Sequence, residues 1–439
     1  MTVRVFLGSN KGEEVRWVPA EEKNPHFLVV GTSGSGKTES LKAIVHELRR
    51  DRVPSLIIDF HNEYRDVSES SINLRNLTIN PLEVLPGRRP QDVVYEVANI
   101  LRKIFRLGDR QEALLRSCIR DCYLAEGIDI LEVQEKTVAP RFLGIREHIN
   151  RVTTPTNKAI AESLLSRIEV LFEINIFFEE NTTIPFDQIL SRTTAIELKD
   201  FPTEDVKAAI AEFFINKLVY HMYQRGRSPD VKFYCLVDEA HRLLYENSPL
   251  DRMLRESRKY GSGVILSSQR PTDFSETILA NIGGLLSLQC NLEKDAKFIA
   301  KQMGIDFTDV LNLNSTGQGY LKLTSSPHTI PVQILSLQDR GNTPTKAPEQ
   351  SKPTFQITPA PHPVVPSMVP VQPLPLASPS PPILPETVIQ PRKEPDKRDI
   401  EIRSYVAKIQ ELKKENTQLE KELRSVAFAK AKKCPSCGS

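Results

Sequence analysis

Short runs of branched apolar residues alternate with longer stretches of three-and-four spacing along the first three quarters of the chain. "VRVFLGS" and "EVRWVP", joined by "NKGE", alternate at period two and predict a β-hairpin within residues 1–25. "HFLVVG" and "SLIIDF" read as buried strands, and the amphipathic stretch between them, residues 37–50, reads as a helix, which makes one βαβ unit. From about residue 90 to 175 the spacing turns helical, with Val93, Val94, Val97, Ile100, Leu101 and Ile104 on one face, and predicts an all-helical insertion. Alternation resumes with strand "TTAIELK", a helix over residues 203–223, strand "VKFYCLVDEAH", a helix over 251–259, and strands "GVILSSQ", "GLLSLQC", "QGYLKLT" and "TIPVQIL". That pattern predicts an α/β domain over 26–338, with a mostly parallel sheet and helices on both faces.

The periodicity stops at about residue 339. Half of the chain's 32 prolines fall between Pro344 and Pro395, and proline removes the backbone donors that helix and sheet need. Residues 339–396 are therefore expected to be an extended, disordered linker. A heptad stripe follows within 397–430, built from Ile402, Tyr405, Ile409, Leu412, Asn416, Leu419, Leu423 and Val426, and predicts a short coiled coil in which Asn416 sets register. A parallel homodimer would oppose Lys408 to Lys413 and Glu415 to Glu420, so charge favours antiparallel or heterotypic pairing.

The last segment, 431–439, contains "CPSC". Cys434 and Cys437 are candidate Zn²⁺ ligands, but they supply two of the four that a closed site needs. Two tails sharing one ion, a partner completing it, or a ribbon remnant all remain open, and sharing would favour parallel tails. Cys118, Cys122, Cys235 and Cys290 sit in apolar contexts and are expected to be buried thiols, not a disulfide framework. A formal charge of +2 names no partner, and no run is long enough for a membrane helix, so a cytoplasmic protein without membrane insertion is expected.

Gly31, Thr32, Ser33, Gly34, Ser35, Gly36, Lys37 and Thr38 fit G-x-x-x-x-G-K-[ST] between a strand and a helix, and Glu39 follows them. Glycines let backbone N–H groups wrap phosphate, Lys37 reaches the β and γ oxygens, and Thr38 offers a hydroxyl to Mg²⁺. "YCLVDEAH" ends a strand in Asp238, a candidate Mg²⁺ partner, and Glu239, a candidate for polarising the attacking water. The guanine reader N-K-x-D is missing, since "TNKA" has no Asp, and this favours ATP. In "RESRKYGSGVILSSQRP" the polar strand end places Gln269 as a sensor of the γ-phosphate, and Arg258 before the strand suits a finger acting in trans.

"HFLVVGTSGSGKT", "LIIDFHNEY", "INPLEVLP", "LVDEAH" and "RKYGSGVILSSQRP", in that order, resemble the HerA/FtsK superfamily of ring-forming DNA-pumping ATPases, above all its HerA branch. The resemblance implies a RecA-like core, ATP and Mg²⁺ as cofactors, a homo-oligomer with six subunits, double-stranded DNA as partner, and a NurA-like nuclease as a further one. It implies Lys37 and Thr38 as the Walker A pair, Asp238 and Glu239 as the Walker B pair, Gln269 as sensor and Arg258 as finger. Asp59 and Glu63 match an acidic element that either orders water or metal near the site or caps a loop. About 25 residues precede "HFLVV", too few for the β-barrel common at the start of HerA proteins, which leaves the nuclease partnership open. Arg88, Arg89, Arg225 and Arg227 are candidate DNA contacts. Two rival functions share these residues: an ATPase that energises type IV secretion, and a nucleotide-gated scaffold.

Overall fold

The computed structural model describes residues 3–73, 77–174, 177, 182–183 and 186–340. The apolar runs become strands because they alternate between two buried faces. Phe27, Val29, Ile57, Leu236 and Ile265 point to one core, while their neighbours Leu28, Val30, Leu56, Ile58, Val237 and Leu266 point to the other.

The strands are β1 (Val5–Asn10), β2 (Glu13–Trp17), β3 (Phe27–Val30), β4 (Ser55–Asp59), β5 (Ser70–Asn73), β6 (Leu77–Thr78), β7 (Thr182–Thr183), β8 (Thr194–Glu197), β9 (Ser228–Val237), β10 (Tyr260–Ser268), β11 (Gly284–Leu288), β12 (Gln318–Leu323) and β13 (Ile330–Ile334). Eleven of them form one sheet in the order β2-β1-β13-β12-β11-β3-β10-β9-β4-β8-β5. Every pairing from β11 to β5 is parallel, and the remaining four strands form an antiparallel wing. The predicted hairpin, β1 and β2, is thus the outer part of the main sheet, while β6 and β7 pair by themselves.

Helix α1 (Lys37–Arg50) covers one face, burying Leu41, Ile44, Val45 and Leu48. On the other face lie α2 (Pro90–Phe105), α3 (Asp109–Ala125), α4 (Gly144–Asn150), α5 (Pro155–Phe172), α6 (Phe186–Ile189), α7 (Glu204–Arg225) and α8 (Pro249–Glu256). Helix α7 is apolar nearly all round because it lies between the sheet and α2. Its start is fixed by Thr203, whose hydroxyl accepts from the Val206 N–H.

The helix expected over 251–259 is divided. Ser248 caps α8, and the chain tightens into a 3₁₀ turn, Ser257–Lys259, that carries Arg258. The sequence pattern missed β5, α9 (Glu276–Ala280), α10 (Glu293–Met303) and α11 (Phe307–Leu311), all short or weakly periodic. Cys118, Cys122, Cys235 and Cys290 are free and buried, and burial pushes the first three thiols up to about 12. Among the described residues no helix is long and apolar enough to cross a membrane. The expected linker beyond Arg340, the coiled coil of 397–430 with Asn416, and Cys434 and Cys437 lie outside the described residues.

The described body closes on Arg340. Its guanidinium pairs with the buried Glu47 of α1 at 3.0 Å and donates to the carbonyls of Phe6 (2.8 Å) and Leu7 (2.9 Å). Arg340→Ala leaves the buried Glu47 carboxylate with only Arg50 (2.9 Å) and the Phe6 N–H (3.2 Å) and is expected to cost about 2 kcal/mol in denaturant unfolding, with Glu47→Gln in the same chain recovering part of the loss. An additive double mutant would count against the pairing.

His26, at the head of β3, is wholly buried, and its Nδ1 accepts from the Val264 N–H at 3.1 Å. Burial first, and the nearby Arg258 charge as a smaller cause, hold its pKa down to about 4. The unfolded chain, with a histidine near 6.5, takes up this proton first as pH falls. The stability this group contributes is therefore present above about 6.5 and is lost between there and about 4, by up to roughly 3 kcal/mol. His26→Asn should flatten unfolding free energy against pH in that window, and an unchanged slope would contradict the assignment.

Candidate nucleotide site

Three adjacent parallel strands, β3, β10 and β9, end at the same edge of the sheet, with Ser268 opposite Val30 and Leu266 opposite Val237. The loops that leave those ends are the three chemistry-bearing motifs. After β3, the loop turns through Gly31, Gly34 and Gly36 at φ of 158°, 78° and 101°. A Cβ at Gly36 would come within 3.1 Å of the Gly317 nitrogen, so the loop also needs glycine there for space. Ser33 and Gly34 are exposed at the tip, and Glu39 lies near Lys42 at 3.7 Å.

Neighbouring chain braces this loop from both sides. The Gly31 N–H donates to Ser268 O at 3.3 Å, Thr32 N–H to Gln289 O at 2.8 Å, and Gly317 N–H to Ser35 O at 3.0 Å. Lys37, mostly buried, donates from Nζ to the Thr32 carbonyl at 2.9 Å. Burial lowers its pKa, and the carboxylates of Glu239 and Asp238 oppose that shift. The N-terminus of α1 adds unsatisfied N–H groups and the positive end of the helix dipole, a setting made for phosphate.

Asp238 and Glu239 follow β9 and are both buried. Asp238 Oδ1 accepts from the Ser267 hydroxyl and, at 3.0 Å, from the Glu239 N–H, while Oδ2 accepts from the Tyr64 hydroxyl at 2.7 Å. Glu239 adopts a left-handed φ of 55°. Its Oε1 accepts from Gln269 Nε2 at 2.6 Å, and its Oε2 lies 3.2 Å from His241 Nδ1. Gln269 and Glu239 are thus in direct contact. Ser267, His241 and Tyr64 were missed as partners, although Ser267 stands in the polar strand end and Tyr64 closes "DFHNEY".

Asp59 is a loop cap. Its carboxylate accepts the N–H groups of His61 (3.2 Å), Glu63 (3.1 Å) and Tyr64 (3.0 Å), which fixes a turn with Asn62 at φ 59°. Burial raises the Asp59 pKa against those hydrogen bonds, and burial likewise raises that of Tyr64, keeping the phenol neutral. Glu63 accepts from the Thr38 hydroxyl at 3.4 Å. Thr38 and Asp238 offer hard oxygen donors that fit Mg²⁺. A cation of that kind takes few protein ligands beside phosphate, and among the described residues no cage of three His, Cys, Asp or Glu is present.

Arg258 lies elsewhere. It precedes the start of β10, and nine strand residues at about 3.3 Å each put it roughly 30 Å from the P-loop edge. It is exposed and makes no ion pair among the described residues, alongside a groove lined by Pro19, Glu22, Asp230 and Lys232. The candidate DNA contacts divide. Arg88 is excluded: it pairs with Glu96 at 2.8 Å and stacks on the Tyr220 ring at 3.3 Å, held in a network with Arg252. Arg89, Arg225 and Arg227 are exposed.

A family model described as "Helicase HerA, central domain" matches residues 20–218. "DNA double-strand break repair helicase HerA" of Sulfolobus acidocaldarius is 24% identical over 334 residues, covering 72% of this chain and 65% of that protein. The chain therefore spans slightly less than two thirds of that relative's length. Among solved structures, VirB4 of Thermoanaerobacter pseudethanolicus superposes with a TM-score of 0.63 at 18% identity over 76% of this chain and 96% of that one. The plasmid coupling protein TrwB in complex with ADP and Mg²⁺ gives 0.53 at 12% identity over 74% and 87%. These likenesses carry the fold, a RecA-like core with a mostly parallel sheet. With the motifs set in that order around one sheet edge, residues 20–218 are similar to the central domain of HerA helicases, and the fold is that of a RecA-like P-loop ATPase.

Proposed function

We propose that the chain is an ATP-driven motor that translocates double-stranded DNA as a homo-oligomeric ring of six. Lys37 and the amides of Gly31 to Thr38, with Glu39 at the start of α1, hold the nucleotide. Thr38 and Asp238 hold Mg²⁺, which when bound supplies charge neutralisation at the β and γ phosphates. Glu239 polarises water, and Gln269, hydrogen-bonded to it, reports the state of the γ-phosphate to β10.

Strand β10 carries the proposal. It ends at Ser268, just before Gln269 at the nucleotide edge, and begins beside Arg258 at the opposite edge of the sheet. An arginine so far from its own phosphates suits the site of the next protomer, where it would neutralise transition-state charge. Arg89, Arg225 and Arg227 remain candidates for DNA phosphates, summed over six subunits. A NurA-like nuclease is the further partner we propose, and Cys434 with Cys437 would supply two thiolates to a Zn²⁺ shared with another tail or partner.

Glu239→Gln is expected to keep ATP binding and lose turnover by about a hundredfold or more, while Lys37→Ala should lose both. Turnover measured with and without linear duplex DNA, on protein of measured solution mass, should show an oligomer stimulated by duplex. A monomer at full rate without DNA would overturn the motor, and stimulation by membranes but not by duplex would transfer the chain to the secretion ATPases. Biological activity kept by Glu239→Gln and lost in Lys37→Ala would point to the scaffold.

Arg258→Ala should cost about a thousandfold in turnover. Titrated into wild-type protein, it should depress activity more steeply than its mole fraction. A strictly proportional decline would remove the trans role.

A further inference from the structure

The turn from Asp59 to Tyr64 reaches both groups assigned to the cation, and it reaches them with consecutive side chains. Glu63 accepts from the Thr38 hydroxyl at 3.4 Å, and Tyr64 donates to Asp238 Oδ2 at 2.7 Å. Asp59 makes the turn rigid by accepting three of its backbone N–H groups. Tyr64 is fully buried, so its hydroxyl has no water to exchange with. Glu63 is exposed.

The directions of these bonds matter. A threonine hydroxyl has one proton and two lone pairs. When the proton is given to Glu63, both lone pairs stay available to a cation. A carboxylate at a cation site must also hold its rotamer, and Asp238 is pinned at both oxygens: Oδ1 by Ser267 and the Glu239 N–H, Oδ2 by Tyr64. Outer partners of this kind orient ligands and commonly control affinity as much as the ligands themselves. From this geometry we infer that Tyr64 and Glu63 are the positioning residues of the cation subsite, Tyr64 acting on Asp238 and Glu63 on Thr38, with Asp59 as the clamp that sets both.

The inference rests on the nucleotide-site reading above, and its test reads binding. The dissociation constant of ADP is measured for the full chain in Mg²⁺ and in EDTA, and the ratio of the two reports what the cation adds. Tyr64→Phe, which keeps the ring and removes the donor, should reduce that ratio about tenfold, the worth of one hydrogen bond to a charged group. Glu63→Ala, which removes a longer and solvent-exposed contact, should reduce it about twofold to threefold, whereas Glu63→Gln, which keeps an acceptor oxygen, should retain most of it.

A wild-type ratio in Tyr64→Phe, or equal weakening with and without Mg²⁺, would reduce Tyr64 to a packing residue and overturn the inference. Should Tyr64→Phe melt early, the exposed Glu63 pair decides alone, with equal ratios in Glu63→Ala and wild type as the overturning result. Wild-type protein that binds ADP with no gain from Mg²⁺ would instead withdraw the nucleotide-site reading, and this inference with it.

Discussion

Strands β3, β10 and β9 lie side by side and parallel, and their ladders fix where each one stops. Because a parallel ladder cannot slip by one residue without turning every side chain to the wrong face, the ends of the three strands are held in a single register. The glycine loop, Gln269 and the acidic pair are consecutive tenants of that edge. Their contacts follow from it: the Ser268 carbonyl meets Gly31, Ser267 meets Asp238, and Gln269 meets Glu239. Two buried cores clamp the sheet from either side, so the edge inherits the rigidity of the whole body.

Charge at that edge is handled by local hydrogen bonding. Each carboxylate there has a donor: Asp59 the turn amides, Asp238 a phenol and a serine, Glu239 an amide. Lys37 bends back onto its own loop. Two acids at the end of one strand would repel each other and lose solvation if left bare, and these donors offset that cost. The left-handed backbone at Glu239 is consistent with the same demand, since strain of this kind persists where surrounding structure over-determines it.

Most of the sheet was legible because its strands are uninterrupted apolar runs between turn residues, and α1 was legible to the residue because a glycine loop starts it. The P-loop, the acidic pair and Gln269 were legible as candidates, since their residue types and order are specific to phosphate chemistry. Tyr64 and Ser267 were not, because a tyrosine after a turn and a serine in a strand acquire meaning only from what the fold sets opposite them. Arg88 misled for the complementary reason: a surface-like "GRRP" conceals a side chain paired with Glu96 on the helix that follows and stacked on Tyr220, which is remote in sequence. The 3₁₀ turn under Arg258 escaped because helical periodicity over three residues carries no signal.

The antiparallel wing does more than widen the sheet. Ile334 donates to the Gly317 carbonyl at 2.8 Å, and the Gly317 N–H donates in turn to Ser35. Two hydrogen bonds therefore separate the phosphate cradle from the last strand of the body, and Arg340 rivets the chain to α1 a few residues later. A pull on the backbone at Arg340 would therefore meet Glu47 of α1 first and the β13 ladder next, and both lead within a few bonds to the glycine loop that starts α1.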